Sequence, residues 1–436
     1  MTKFNRSSTL LNGIYPCLTP ACLTLATCFS SVVVADDSSV IELEAVVVTA
    51  TMSARPIETA PAFTTVLDAE AIEAAPVDSL GDLLRANAGL NNLTDGNGRD
   101  DIQIRGLDGD YTMVLVNGKR VSSGGAFAKG TDVDFNSIPV TSIERIEVIR
   151  GPMAALYGSD AIGGVINIIT KKSAGDWRGS VSGEYTVVDS GEDGGRYRLG
   201  GTAMGSLSDQ VSLSVSADQY SREAWYANDD DDVPDQEEKT ASNLTSTLTL
   251  DLNEQQSIDI DFGYNQDKRP YQAYSSSSYR EQEISRYDLA LTHTGLWDSA
   301  STTAYIKYEH SDVDDFNTSY VTPQHHTKES NLYAKAYVNT AFGANDLVAG
   351  VDYRHQELED PINYVATGKY SIDQVGVFVQ DEIALMEALT LTLGGRWDNH
   401  EIFGGHFSPK GYLVYQLNDA VTLKGGIGKA FQTDVS

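Results

Sequence analysis

No internal stretch of this chain approaches the roughly 20 consecutive apolar residues of a membrane-spanning helix, so any membrane crossing has to be made by strands closed into a barrel. Cysteine is nearly missing. The three present, Cys17, Cys22 and Cys28, all lie near the N-terminus, and the chain beyond them can form neither a disulfide framework nor a thiolate metal site. Positive charge is scarce as well: 31 Lys and Arg stand against 62 Asp and Glu, a net charge of −31. That excludes a nucleic-acid-binding surface, which needs cations to neutralise phosphates. Proline is sparse at 12, whereas glycine (38) and tyrosine (22) are abundant. At 436 residues the chain has room for two or three domains.

The first 35 residues carry Lys3 and Arg6, then an apolar stretch around Cys22–Val34, then the small-residue end Val33-Val34-Ala35. This pattern predicts an export signal cut after Ala35, because the apolar part is too short and too rich in Thr and Ser for an anchor. A polar tether, Asp36–Glu42, leads to Glu44-Ala45-Val46-Val47-Val48-Thr49-Ala50. A β-branched run in a loose arm suits strand addition to a partner's sheet edge. It equally suits an ordinary first strand of the domain that follows.

Residues 54–172 read as one small α/β domain. Asp78 is placed to cap a short helix carrying Leu80, Leu83 and Leu84 on one face. Ile102–Arg105 alternates like a strand, and Tyr111–Val116 forms another, followed by a hairpin turn at Asn117-Gly118. Two Gly/Asn/Asp/Ser-rich loops cover 91–100 and 122–130. Ile143–Arg150 is an apolar strand, broken by Gly151-Pro152. Met153–Tyr157 has length for one or two helical turns, with Gly158 expected as a left-handed cap. Val165–Ile169 is a buried β-branched strand. A strand–helix–strand unit of this kind cannot cover both of its faces alone.

From Arg178 onward the period becomes two. Val211, Leu213 and Val215 alternate with serines; Ile258, Ile260, Phe262 and Tyr264 alternate with Asp259, Asp261, Gly263 and Asn265. One side must be wet and the other apolar. Short gaps (205–209, 253–256, 295–299, 386–387, 418–419) alternate with long ones (220–239, 266–283, 311–326, 356–368). Short turns on one rim and long loops on the other mark an outer-membrane barrel. About 12 complete strands are expected, with a 13th starting near Val421.

Dense motifs then carry a resemblance: Ile104-Arg105-Gly106, Val116-Asn117-Gly118-Lys119-Arg120, Ile149-Arg150-Gly151-Pro152, Leu156-Tyr157-Gly158 and Gly163–Thr170. With these, nearly all of the chain after the signal resembles the TonB-dependent outer-membrane receptors. Within them it resembles most the colicin I receptor group, which takes up linear catecholate siderophores. The resemblance implies a mainly β chain: a transmembrane antiparallel β-barrel with an N-terminal α/β plug. Residues 36–53 become a periplasmic arm with its TonB box at Glu44–Ala50, 54–172 the plug, and 173–436 a partial barrel. It implies active transport of a ferric siderophore, powered through the TonB protein and its inner-membrane motor, with iron arriving as chelated cargo and no resident cofactor. It implies no enzymatic step, contact with lipopolysaccharide, and use of the surface by colicins or phages. A receptor of this fold for cobalamin or haem stays open, as does a truncated surface protein that transports nothing.

By the same resemblance, Arg105 and Arg150 are plug arginines expected to pair with barrel carboxylates, since a buried arginine is costly to leave unpaired. Arg99 and Lys129 fall in loops expected to face the outside, where cations would attract a polyanionic iron complex, or are merely solvated. Trp225, Tyr226, Tyr271, Tyr274 and Tyr279 are candidates to stack on catechol rings, or belong to an aromatic girdle. The acidic run Asp229–Asp232 with Asp235, Glu237 and Glu238 reads as solvated surface. His325-His326 and His400/His406 read as loop residues without ligand-spaced acidic partners, so no metal site is expected. The family's barrel has about 22 strands. Thirteen would enclose a width of only about 26 Å, too little for a 120-residue plug of roughly 35 Å. The sheet is therefore expected to curl around the plug unclosed, and the chain to lack the C-terminal strands.

Overall fold

The computed structural model describes residues 46–74, 80–94, 100–121, 137–173, 175–227, 234–272, 279–317, 325–360, 368–418 and 420–431, all within one compact unit. The arm opens with a two-residue pairing of β1 (Val46–Val47) with β2 (Arg55–Pro56). The plug follows: β3 (Phe63–Asp68), α1 (Ala69–Ala74), α2 (Leu80–Arg85), β4 (Leu90–Thr94), β5 (Asp100–Ile104), β6 (Thr112–Val116), β7 (Lys119–Arg120), β8 (Ile143–Arg150), α3 (Ala154–Tyr157) and β9 (Gly164–Thr170). Its five-stranded sheet has the order β3-β8-β9-β6-β7, with β6 parallel to β9 and the other pairs antiparallel. The Asn117-Gly118 turn forms as expected, both residues having positive φ (51° and 75°). Gly164 is required by space: a Cβ there would collide with the Ile149 carbonyl across the β8–β9 pair. Gly158 has φ 92° but ψ −160°, so α3 ends in an extended bend and not in the expected left-handed cap.

The plug sheet buries both faces, in two ways. On one, Ile146, Val148, Ile166, Ile168 and Val114 pack with Leu83 and Leu84 of α2 and Ile102 and Ile104 of β5. On the other, Ile149, Val165, Met113 and Leu115 pack with Met153 and Leu156, with Val47, Ala50 and Met52 of the arm, and with Val348 and Phe378 from beyond the plug. The strand–helix–strand unit is thus covered by three different parts of the chain.

Beyond the plug stand β10 (Arg178–Thr186), β11 (Glu192–Asp193), β12 (Arg196–Ser208), β13 (Val211–Arg222), β14 (Trp225–Tyr226), β15 (Lys239–Asn253), β16 (Gln256–Gln272), β17 (Tyr279–Leu296), β18 (Ala300–Asn317), β19 (His325–Phe342), β20 (Asn345–Glu359), β21 (Lys369–Met386), β22 (Leu389–His400), β23 (Gly404–Asn418) and β24 (Val421–Gly428). All but β11 and β14 form one thirteen-stranded antiparallel sheet, here the wall, in which each strand pairs with its sequence neighbours. Its outer strands β10 and β24 do not pair with each other. The last strand starts at Val421, where the alternation placed it.

Several wall strands run to 17 or 18 residues. Much of 266–283 and 311–326, expected as loop, is therefore paired backbone. Once a strand rises beyond lipid both faces meet water, and the hydrophobic alternation that marks a strand in the sequence disappears while the ladder continues. His326, His400 and His406 accordingly lie on β19, β22 and β23, not in loops. His326 also has acidic neighbours, with Nδ1 2.5 Å from Asp314 Oδ1. Even so, no group of His, Cys, Asp or Glu suited to a metal occurs among the described residues.

The wall is inverted relative to a soluble sheet. Asp259, Lys307, Glu309, Lys335, Gln374, Arg396 and Asp398 are buried on its plug side, whereas Leu289, Leu291, Ile306, Val351, Val375, Val377 and Leu393 are exposed. No described helix is long and apolar enough to cross a membrane; strands with apolar outer faces cross it without one.

Candidate functional site at the arm and the plug–wall interface

The plug rests on the polar face of the wall, largely through cations. Lys119 of β7 meets Asp261 at 2.9 Å, and Lys172 meets Asp259 at 2.8 Å. Asp160, just after α3, is shared by Arg120 of the plug and Arg354 of the wall. Burial, and after it the charge of Arg354, lowers the Arg120 guanidinium to about 10. Three wall lysines reach plug carbonyls, one of them, Lys307, while also pairing with Glu309 of its own strand at 2.8 Å. Lys307 Nζ donates to Arg120 O (2.9 Å), Lys335 Nζ to Leu156 O (3.2 Å), and Lys424 Nζ to Ile57 O (2.8 Å) and Ala60 O (3.0 Å). Lys335 also lies over the rings of Tyr157 and Phe378, 4.9 and 4.8 Å from their centroids. Arg396 fills the space beside Gly376 and Gly158 and is held by Asp352 and Asp398.

The arm lies beside the rim of short turns. Arg55 pairs with Asp346, next to the β19–β20 turn, and lies 3.3 Å from Glu382. Asn339 Nδ2 donates to Met52 O at 3.0 Å. After β1 the backbone bends and turns over 48–53, and does not continue the strand that the run of valines suggested. The cause is Glu147, fully buried on β8. Its Oε2 accepts from Val48 N (3.0 Å), Thr49 N (2.9 Å) and Thr49 Oγ1 (2.7 Å), while Oε1 accepts from Arg145 Nε (3.0 Å). Two adjacent amides cannot serve one carboxylate oxygen and a sheet ladder together. Asn167 Nδ2 donates to Thr49 Oγ1, and the Tyr157 hydroxyl to Thr49 O, each at 2.8 Å. Burial pushes the Tyr157 phenol well above its usual range, so it remains a donor.

Arg105 and Arg150 stand together on the plug. Arg105 has φ 55° and leads the Arg105-Gly106 turn; its guanidinium lies 5.2 Å from the Phe63 ring centroid. Arg150 Nη1 donates to Thr65 Oγ1 at 2.8 Å, and its buried Nε has no partner among the described residues. Burial, then the charge of Arg105, draws Arg150 below its usual value. The expected pairing of these two arginines with wall carboxylates is not found among the described residues. A ring and a hydroxyl of β3 occupy the guanidinium groups instead.

An arm folded onto a plug, and a plug held on the polar face of a sheet whose other face is apolar, describe a plugged membrane wall. A family model, TonB-dependent Receptor Plug Domain, matches residues 56–165. A second, TonB dependent receptor-like, beta-barrel, matches 176–435. The chain belongs to the TonB-dependent receptors. It is 32% identical over 448 residues to the iron-regulated outer membrane virulence protein of Vibrio cholerae, covering 99% of this chain and 65% of the relative. It is 32% identical over 280 residues to a vitamin B12 transporter of Photobacterium profundum, covering 63% of this chain and 42% of the relative. The crystal structure of a point mutant of the ferric enterobactin receptor of Pseudomonas aeruginosa superposes with a TM-score of 0.78 at 25% identity, covering 89% of this chain and 64% of that one. The chain thus spans less than two thirds of the length of these relatives. Like its relatives, this TonB-dependent receptor is a protein of the Gram-negative outer membrane, and the family consists of receptors and transporters.

The remaining candidate residues of the receptor are scattered. Glu44, Ala45, Arg99, Lys129 and Tyr274 lie outside the described residues, as do Asp78 and the run 229–232. Tyr271 is the last residue but one of β16, and Tyr279 begins β17. Trp225 and Tyr226 pair with Asp193 and Glu192, and Trp225 Nε1 donates to Ser190 O at 2.9 Å, bracing that turn. Glu147, Asn167, Lys335 and Lys424 were missed. For Glu147 the signal was a carboxylate in the middle of the apolar strand Ile146-Glu147-Val148; for the lysines there was none.

Proposed function

We propose that the receptor imports ferric catecholate siderophores actively. The cargo is an iron chelate held above the plug, and Glu44–Ala50 is the segment pulled by TonB from the periplasm. The observation that carries this reading is the place of the arm: it lies on the plug, beside the short-turn rim, which in such walls faces the periplasm. Relatives along most of the chain are receptors for ferric enterobactin, which supports an iron–catecholate cargo. Arg99 and Lys129, with Trp225, Tyr226, Tyr271 and Tyr274, are the proposed contacts for that anionic, ring-rich ligand. No bond is made or broken; the iron is cargo, and no resident cofactor takes part. Lipopolysaccharide surrounds the wall, and colicins or phages use its outer loops for attachment.

A second reading, import of cobalamin, rests on the similarity to a vitamin B12 transporter. The two separate in one experiment. Cells lacking their own catecholate and cobalamin receptors, but expressing this chain, are given radiolabelled ferric dihydroxybenzoyl-serine or radiolabelled cobalamin. Iron uptake that depends on TonB, without cobalamin uptake, is expected. Cobalamin uptake alone, or no uptake of either, overturns the proposal.

A further inference from the structure

The outward face of β17–β19 carries a group of polar side chains that neither the plug nor the proposed import uses. Leu289, Leu291, Ile306 and Tyr308 on that face are exposed, whereas Lys307, Glu309 and Ser311, alternating along β18, are buried toward the plug. His310 and Asp312 therefore continue the lipid-side row of Ile306 and Tyr308, on the side of Tyr308 away from the short β17–β18 turn. At that level the apolar band gives way to the headgroups of the outer leaflet. Ser330 of β19 stands directly opposite His310 in the ladder. His310 Nδ1 lies 2.8 Å from Ser330 Oγ, and His310 Nε2 lies 3.3 Å from Asp312 Oδ2. A carboxylate only accepts, so Asp312 keeps the ring proton on Nε2 and leaves the Nδ1 lone pair for the serine hydroxyl. The Tyr308 hydroxyl donates to Ser330 Oγ at 3.4 Å. Tyr287 supports the imidazole from its other neighbour strand, with ring centroids 5.3 Å apart. The side chains of His310 and Asp312 are 17% and 36% exposed, which leaves both open to the headgroup layer.

We propose that Ser330, His310 and Asp312 form a hydrolytic site for the fatty-acyl esters of outer-leaflet lipid. A serine bonded to a histidine that a carboxylate orients is an activated nucleophile on any fold. Ser330 Oγ attacks the ester carbonyl carbon while its proton passes to His310 Nδ1. Tyr308 donates to the carbonyl oxygen as negative charge develops there. The bond from the carbonyl carbon to the lipid's alcohol oxygen breaks, and that oxygen takes the proton from His310. Water from the headgroup layer then attacks the acyl-serine and gives a proton to His310. The fatty acid leaves, and the proton returns to Ser330 Oγ. Ser330 and His310 are catalytic residues, and Asp312 is a positioning residue. None of the three faces the plug, so the reaction is independent of the cargo. The same ester chemistry occurs in phospholipid and in the lipid A part of lipopolysaccharide.

The test gives the full chain in detergent micelles dioleoylphosphatidylethanolamine in one arm and hexa-acylated lipid A in the other. Free fatty acid is measured by mass spectrometry. Release in at least one arm is expected, and the arm that responds names the lipid. His310→Ala should lower the rate about 10²–10⁴-fold, and Ser330→Ala at least as much. Tyr308→Phe should lower it about hundredfold. Asp312→Asn should lower kcat with KM unchanged, and Asp312→Glu should restore part of the loss, a split that a merely structural aspartate does not produce. A fluorophosphonate probe should add its mass to Ser330 of the parent chain. The variants should keep the parent's heat-modifiable gel mobility, because these side chains lie outside the plug interface. Absence of fatty acid in both arms, equal release by the parent and Ser330→Ala, or a folded parent that the probe leaves unlabelled at Ser330 overturns the proposal.

Discussion

The plug and the wall are built from the same twenty side chains by opposite rules. In the plug, Ile102, Ile104, Ile146, Val148 and Ile166 are wholly or almost wholly buried, and their stability comes from apolar area removed from water. In the wall, Val375, Val377 and Val379 are about half exposed while Gln374, Gln380 and Arg396 are buried. Lipid takes the place of the apolar core for one face; ion pairs and the plug occupy the other. The plug keeps an ordinary core, completed on one face by Val348 and Phe378 of the wall, and its polar joins to the wall are lysines on carbonyls and shared carboxylates such as Asp160.

That contrast can be broken most severely at Arg396. Arg396→Leu leaves Asp352 and Asp398 facing each other without their cation, Asp398 being wholly buried. Breaking a buried pair in this way costs about 3–5 kcal/mol, and the variant should fail to show the heat-modifiable gel shift of a folded outer-membrane protein. The next step compares equal chemistry in the two regions. Ile166→Ala in the plug core should cost about 2–5 kcal/mol. Val377→Ala on the lipid face should cost less than about 1 kcal/mol, since lipid fills the space a soluble protein would leave as a cavity. Urea titration of detergent-folded protein reads both, and equal losses would remove the distinction.

The smallest effect is a pH response confined to the plug. Asp101 is raised to about 7, first by burial, then by its bond to Asp108, with which it shares the Gly109 amide. An aspartate raised in the folded state binds its proton more tightly there than when unfolded. Its contribution is therefore full at low pH and is lost as pH rises through about 7. Resistance of the plug to urea should fall as pH rises between about pH 4 and pH 7, and Asp101→Asn should flatten the profile.

Much of this was legible in the chain. Alternation over Ile258–Asn265 names a two-sided wall strand, and Asn117-Gly118 names the β6–β7 hairpin of the plug, because both signals are local. The paired segments beyond lipid were hidden, since residues such as 311–317 have water on both sides and no reason to alternate. The two-residue β1 was hidden as well. Valines prefer extended backbone, but a carboxylate 99 residues away from Val48 claimed the amides a strand would need.

By itself the sequence determined where strands cross the lipid, which of their faces is apolar, and that an α/β plug precedes a wall. Those choices follow from steric and solvation preferences spanning a few residues. Only the tertiary structure decided that Glu147 holds Thr49, that Lys307, Lys335 and Lys424 grip plug carbonyls, and that Arg105 and Arg150 stand side by side. A buried charge has to find its partner wherever the fold brings one within about 3 Å, and no local pattern records which residue that will be.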